Sequence, residues 1–387
     1  MRHILFFLSV LISQSLFSVA QTYKCTIEAT STGDEHCVFR NVQLSSNTTN
    51  VSFELPTSGI PSRVTFKNSS LVHIPADFIQ KFGDTLKVLY VEGCMLRSVI
   101  ITNNLEVLHA RNNYISRVVT QHNGNTPLLR DLDLSANRLK DIRNITHFKN
   151  LEILNLSSNE EIAAESVIDL NAFAPFKNLK ELYLSDVGAF YLEYNKKFNL
   201  PTLQTLDLSK NTLLPSDLRV NRLSELEALE VLKLNDNNMA ELDYGQLPYL
   251  KSLRRVYLNG NNFLCDKLQT MLKFLHERSI TTPADTYSSC QPHQQQVDGM
   301  CCTKPIVMPP RPTQVPTLPT HIDSTDMDNT DNRVDMDNTD NRVDDQTPGI
   351  ADNSNDGFPW IAVAIAVPLA IVLAGVGLYV YRKHART

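Results

Sequence analysis

The sequence has no strongly basic bias: its net charge is −6, with 36 lysines and arginines against 42 aspartates and glutamates in 387 residues. A nucleic-acid-binding surface draws its affinity from clustered cations facing phosphates, so no nucleic-acid partner is expected. Catalytic signatures are lacking too. No nucleophile elbow, phosphate loop, HExxH helix or paired-carboxylate motif occurs, and the ten histidines are scattered without partners. The chain is therefore not expected to be an enzyme. No Cys/His spacing matches a zinc site, and neither a metal nor a cofactor is expected. The tandem "DMDNTDNRV" at 326–334 and 335–343 has the aspartate spacing of a calcium loop without its glycine or its closing glutamate. It reads as a solvated acidic tether.

Long apolar runs are confined to the two ends. Residues 1–20 begin with Arg2 and His3, continue through an apolar stretch and close on Ser18-Val19-Ala20. That is the pattern of a removable secretory signal. Residues 358–381 contain the uncharged run from Trp360 to Tyr381, long enough at about 1.5 Å per residue to cross the ~30 Å apolar core of a bilayer. Arg382, Lys383, His384 and Arg386 follow within the six-residue tail 382–387, whereas Asp344, Asp345, Asp352 and Asp356 precede the span. Cations favour the cytoplasmic side, so the expected topology is single-pass in the plasma membrane with the N-terminus extracellular. Ala362, Ala366, Ala370 and Ala374 form a small-residue stripe compatible with a homo- or heterodimer in the bilayer. Six residues hold no signalling domain, so signalling would require a separate partner.

Between the ends lies a repeat. "LRDLDLSANRLKDI" at 129–142 has the form L-x-x-L-x-L-x-x-N-x-L, which returns at Leu86, Leu105, Leu151, Leu179, Leu203, Leu229 and Leu253, with a degenerate copy from Val64. Successive intervals from Leu86 are 19, 24, 22, 28, 24, 26 and 24 residues. The L-x-L pair predicts a short strand with both leucines turned inward, and the asparagine satisfies backbone groups in the turn that follows. One unit cannot bury its apolar edge alone. Stacked units can, and the fold class expected is an α/β leucine-rich-repeat solenoid, a horseshoe whose parallel sheet lines its concave face. Cys94 and Val187 take the asparagine place in the copies at Leu86 and Leu179, and the valine should weaken its turn.

The domain boundaries follow: an N-terminal cap at 21–60, repeats at 61–264, a cysteine-containing C-terminal cap at 265–302, and a Pro/Thr-rich then acidic stalk at 303–357. A flexible stalk of that length places the horseshoe about 40 Å from the bilayer. Seven cysteines occur, and a secreted context favours disulfides. Cys25 and Cys37 are expected to close the first cap, with Cys94 as a buried turn thiol. Cys265, Cys290, Cys301 and Cys302 either pair within the second cap, where Leu268, Met271, Leu272 and Leu275 have helical spacing, or leave one cysteine of the 301–302 doublet to bond another chain.

The expected working surface is the strand-facing column Tyr90, His109, Asp133, Asn155, Tyr183, Asp207, Lys233 and Tyr257, flanked by a second column that includes Glu92 and Arg111. Aromatics mixed with charge suit an extracellular protein or glycan ligand. Glycosylation sequons lie at Asn47, Asn50, Asn68, Asn144 and Asn155, the last of them in the working column.

The segment "CVFRNVQL" from Cys37, the repeats, the Cys265-Asp266 pair and the Cys301-Cys302 doublet together resemble the insect leucine-rich-repeat immune proteins, in particular their transmembrane branch. The resemblance implies pathogen recognition or complement-like defence at the cell surface, and an intermolecular bond near the doublet. No coiled coil follows Cys302, unlike the secreted members. The function expected is a non-catalytic recognition receptor of innate immunity, the alternative being a cell-adhesion or developmental receptor of the same architecture.

Overall fold

A computed structural model describes residues 21–304 apart from 30–32, 47, 49, 58, 121–126, 195–198, 214–222, 224 and 285–289. The signal, the stalk from residue 305, the membrane span, the tail and the sequon at Asn47 lie outside the described residues. No described helix is long and apolar enough to cross a membrane.

Leu132 sits at the centre of the strand Asp131–Asp133 and Leu134 just beyond it; both are fully buried, while Asp131 and Asp133 stay half-exposed. The later copies of the motif repeat this alternation, save that Asp207 is itself buried, because side chains along a strand point to opposite faces. Among the described residues the copies build one sheet of eleven strands in chain order. It runs from Thr26–Ala29 and Glu35–Arg40 through Arg63–Lys67, Val88–Tyr90, Val107–His109, Asp131–Asp133, Ile153–Asn155, Glu181–Tyr183, Thr205–Asp207 and Val231–Lys233 to Arg255–Tyr257. The first pair is antiparallel and every later pair parallel. The parallel sheet begins earlier than residue 61. Glu35–Arg40 already lies in register with Arg63–Lys67, Cys37 opposite Val64 and Phe39 opposite Phe66. A cysteine and a phenylalanine there fill the places that leucines take later, which conceals the copy from a leucine-based pattern.

Buried asparagines stack beside the sheet. Asn137 Nδ2 donates to the carbonyls of Leu134 in its own repeat and of Ala110 in the preceding one, both at 2.9 Å. Its Oδ1 accepts from Ile115 N–H at 2.9 Å. Asn113, Asn159, Asn211, Asn237 and Asn261 repeat the arrangement, so that Ala110 O, Leu134 O, Leu208 O and Leu234 O each receive two amide donors. Val187 interrupts the ladder: Leu156 O receives only Asn159, and Leu184 O only Asn211. The turn at Val187 is nevertheless held, because Asn211 Oδ1 accepts from the N–H groups of both Val187 and Ala189. At the other end Ser69 takes the asparagine place and accepts from Val42 N–H at 3.1 Å.

The residue before each ladder position is left-handed. Asn41, Asn68, Gly93, Asn112, Ala136, Ser158, Asp186, Lys210, Asp236 and Gly260 all have φ between 50° and 69°. This kink turns the chain out of the sheet and aims the next side chain at the exposed backbone of the neighbouring repeats. Only glycine and, to a lesser degree, asparagine and aspartate adopt it without strain.

Both ends of the core are covered. Phe39, Phe53, Phe66, Phe78 and Phe82 form a contiguous aromatic cluster under the helix Ala76–Phe82, with Phe78 and Phe82 rings 4.7 Å apart. Cys25 is joined to Cys37. At the far end the helix Cys265–His276 turns Leu268, Met271, Leu272 and Leu275 onto the last repeat. Cys265 bonds Cys302 and Cys290 bonds Cys301, so both members of the doublet pair within the cap. A disulfide to another chain has no free thiol here except Cys94, which is buried. The 28-residue interval spends its extra length outside the main sheet, in the strand Val167–Asp169 that pairs with Tyr191–Glu193.

Candidate functional site

Strand register carries the expected working column into a continuous row. Tyr90, His109, Asp133, Asn155, Tyr183, Asp207, Lys233 and Tyr257 stand directly opposite one another across eight strands. All but Asp207 are partly exposed.

Two clusters arise within this row. In the first, the Tyr90 and His109 rings meet edge to face at 5.0 Å, and His109 Nε2 lies 3.1 Å from Asp131 Oδ2. The hydrogen bond to Asp131 holds the imidazole pKa above its ordinary value, aided by the charges of Asp131, Asp133 and Glu92 against the opposing effect of burial. Arg111 Nε approaches Glu92 at 3.4 Å on the exposed flank. In the second cluster Tyr183 donates its hydroxyl to Glu181 at 2.6 Å, and Lys233 sits 5.3 Å from the Tyr183 ring centre and 3.1 Å from Asp207 Oδ2. Burial, and then the Glu181 carboxylate, push the Tyr183 phenol well above its usual pKa, which keeps it a hydrogen-bond donor at any physiological pH.

Not every member of the row is available to a ligand. Asp207 is only 7% exposed, and its Oδ1 accepts from both the N–H and the hydroxyl of Ser209. Its role is to anchor Lys233. Asp133 Oδ1 is held in the same way by Ser135. Asn155 Oδ1 accepts from Ser157 N–H, leaving its amide nitrogen, the sequon atom, directed away from that bond in the middle of the face.

Asp131 and Glu181 are absent from the expected column, yet they polarise its two aromatic partners. They belong to a row two residues earlier, which period-two alternation places on the same face. That row, with Arg63 and Arg255 at its ends, is the signal that would have found them. Among the described residues no group of three or more His, Cys, Asp or Glu side chains could hold a metal ion.

No protein-family model matches the chain. Among curated proteins the chain is similar to Tsukushi of Gallus gallus, 33% identical over 152 residues, covering 39% of each protein. It is also similar to nephrocan of Mus musculus, 35% identical over 86 residues that cover 21% of this chain and 16% of nephrocan. The chain thus spans about two-fifths or less of the length of these curated relatives. The architecture is a leucine-rich-repeat solenoid. A solved leucine-rich-repeat domain, that of APL1B, is 22% identical and covers 66% of this chain and 78% of its own, with a TM-score of 0.47. In the solenoid, the charged members of the row from Tyr90 to Tyr257 are held either across a strand boundary, as His109 by Asp131 and Lys233 by Asp207, or within their own repeat, as Asp133 by Ser135.

Proposed function

We propose that this protein is a non-catalytic, extracellular recognition receptor that binds a protein or glycan through the inner face of its sheet. The observation that supports this most is the continuous register of the row from Tyr90 to Tyr257, aromatic or charged at every place but Asn155 and held by backbone pairing in every strand. Such a row is pre-organised, so the protein loses little conformational entropy when a ligand meets it. Secretion through residues 1–20, anchorage through 358–381 and N-glycans at Asn47, Asn50, Asn68 and Asn144 complete the reading, with Asn155 left free of glycan because it stands in the middle of the inner face. Innate immunity is the setting implied by the sequence resemblance.

The test is a binding screen with the full chain displayed on cells against microbial surface polysaccharides and extracellular-fluid proteins. A ligand retained by wild-type protein and lost on Tyr183→Ala with Lys233→Ala would support the inner face. A ligand indifferent to every inner-face substitution would overturn it, and so would turnover of any substrate.

A further inference from the structure

On the turn edge beside the asparagine ladder, away from the inner face, successive repeats leave an open hollow of about 540 Å³. Its walls are Arg97, Tyr114, Ser116, Arg138, Lys140 and Glu161. These residues recur by design of the repeat: Tyr114 and Arg138 directly follow Asn113 and Asn137, while Arg97, Ser116 and Lys140 come three residues after positions 94, 113 and 137. Neighbouring repeats stack about 4.8 Å apart, so the coil sets these side chains in a row. Backbone bonds fix the row, Ser116 N–H donating to Arg97 O and Arg138 N–H to Ile115 O.

The charges are unbalanced. Three cations face one carboxylate, on a chain whose net charge is −6. Glu161 neutralises Lys140 at 2.7 Å. Arg97 and Arg138 have no carboxylate partner among the described residues, and the Arg138 guanidinium lies over the Tyr114 ring at 4.6 Å. A guanidinium stacked on a ring by its face keeps its N–H edge free to donate, and Tyr114 remains 45% exposed. Arg117 lines the adjoining hollow together with Lys140 and extends the positive edge.

We propose that this hollow binds an acidic saccharide chain bearing sulfate or uronate groups, at a site independent of the inner face. Two guanidinium forks without carboxylate partners, Arg97 and Arg138, flank the repeat that carries Tyr114 and Ser116, and such a spacing matches planar, multi-oxygen anions set along a polymer. The Ser116 hydroxyl and the Tyr114 phenol add neutral hydrogen bonds of the kind sugar hydroxyls take. The lining contains no aliphatic side chain, which leaves no place for an acyl chain or for the apolar side chains of a peptide.

The experiment uses the full chain, with N-glycans removed because the exposed sequon Asn144 borders the adjoining hollow. Binding is measured to heparin oligosaccharides, which carry sulfate, and to hyaluronan, which carries uronate alone, across a salt series. Retention of either at physiological ionic strength is expected, with affinity falling at least about tenfold in Arg97→Ser/Arg138→Ser, the scale of losing two charge-assisted contacts. Arg138→Gln alone should weaken binding in the same direction, so the test survives if the double variant does not fold. Lys251→Ser removes one exposed cation elsewhere and should leave affinity unchanged. No retention of wild-type protein would overturn the proposal. So would equal affinity of both arginine variants and wild type, an equal loss in Lys251→Ser, or competition by polyglutamate as strong as by heparin at matched charge.

Discussion

The Lys233 ammonium reaches across one strand boundary to the Asp207 carboxylate, 3.1 Å from Oδ2, with the Tyr183 ring on its far side. Asp207 is nearly buried, whereas the Lys233 side chain is 30% exposed. Removing the cation leaves a desolvated carboxylate whose remaining donors come from Ser209 alone. Lys233→Met should therefore destabilise the fold by about 1–2 kcal/mol, less than a fully buried pair because solvent screens the lysine. Chemical denaturation at neutral pH measures it. Asp207→Asn/Lys233→Met together should recover part of the loss, and a double variant no more stable than Lys233→Met would refute the account.

The ladder gives a second prediction. Asn137→Ala removes the acceptor of Ile115 N–H and the amide donors to Ala110 O, Leu134 O and Ser135 O. Ala110 O and Leu134 O keep a second donor from Asn113 and Asn159, but Ile115 N–H is buried and left unpaired. The expected loss is about 3 kcal/mol. A shift in denaturation midpoint below a third of that would show that water replaces the side chain.

Left-handed backbone provides a third. Ala136 has φ 51° and Gly260 has φ 69°. Ala136→Gly relieves a side-chain strain of about 1–2 kcal/mol at the expense of about 0.5–1 kcal/mol of chain entropy, so a small rise in melting temperature is expected. Gly260→Ala should lower it. Equal and opposite signs to these would mean that the turn relaxes out of the left-handed region.

His109 supplies a pH dependence. Its pKa is raised in the folded state, mainly by the hydrogen bond to Asp131, so folding favours the protonated ring. The stabilisation is fully present below the ordinary histidine pKa of about 6.5 and disappears as pH rises through the raised folded value. The melting-temperature gap between wild type and His109→Gln should be widest in mild acid and shrink toward alkaline pH. A gap that grows with pH would contradict the Asp131 pairing.

Cys94 makes the fifth prediction. Burial, and then the Glu92 charge, push its thiol up to about 12, and six other cysteines are in disulfides. Since the thiolate is the reactive form, iodoacetamide at pH 8 should not modify folded protein and should label one thiol per chain after denaturation without reductant. Labelling of the native protein, or more than one thiol on denaturation, would disprove this pairing.

Much of this molecule is readable from spacing alone. Leucines at fixed offsets set which residues turn inward, and because side-chain direction alternates along a strand, the same count assigns Tyr90 through Tyr257 to one face. The asparagine at its place in the motif marks six of the turns, and Ser69, Cys94 and Val187 stand in its place in the others. The copy at Glu35–Arg40 escapes that reading because Cys37 and Phe39 substitute for leucine, and shape complementarity in a packed core accepts them where a letter pattern does not. Asp131 and Glu181 escape it because their importance depends on which side chain they meet, His109 across the strand boundary for Asp131 and Tyr183 in the same strand for Glu181.

The sequence by itself determined the coil, since a periodic apolar edge can be buried only by stacking onto its neighbours, and it determined which side chains look outward. Tertiary structure alone decided the partners: that Cys301 and Cys302 diverge to Cys290 and Cys265, that Asp207 is spent on Lys233, and that Arg97 and Arg138 stand unpaired on one edge. Pairing depends on distances between residues that are separated in the chain, by 11 positions for Cys290 and Cys301, 26 for Asp207 and Lys233 and 37 for Cys265 and Cys302, and those distances exist only once the chain has folded.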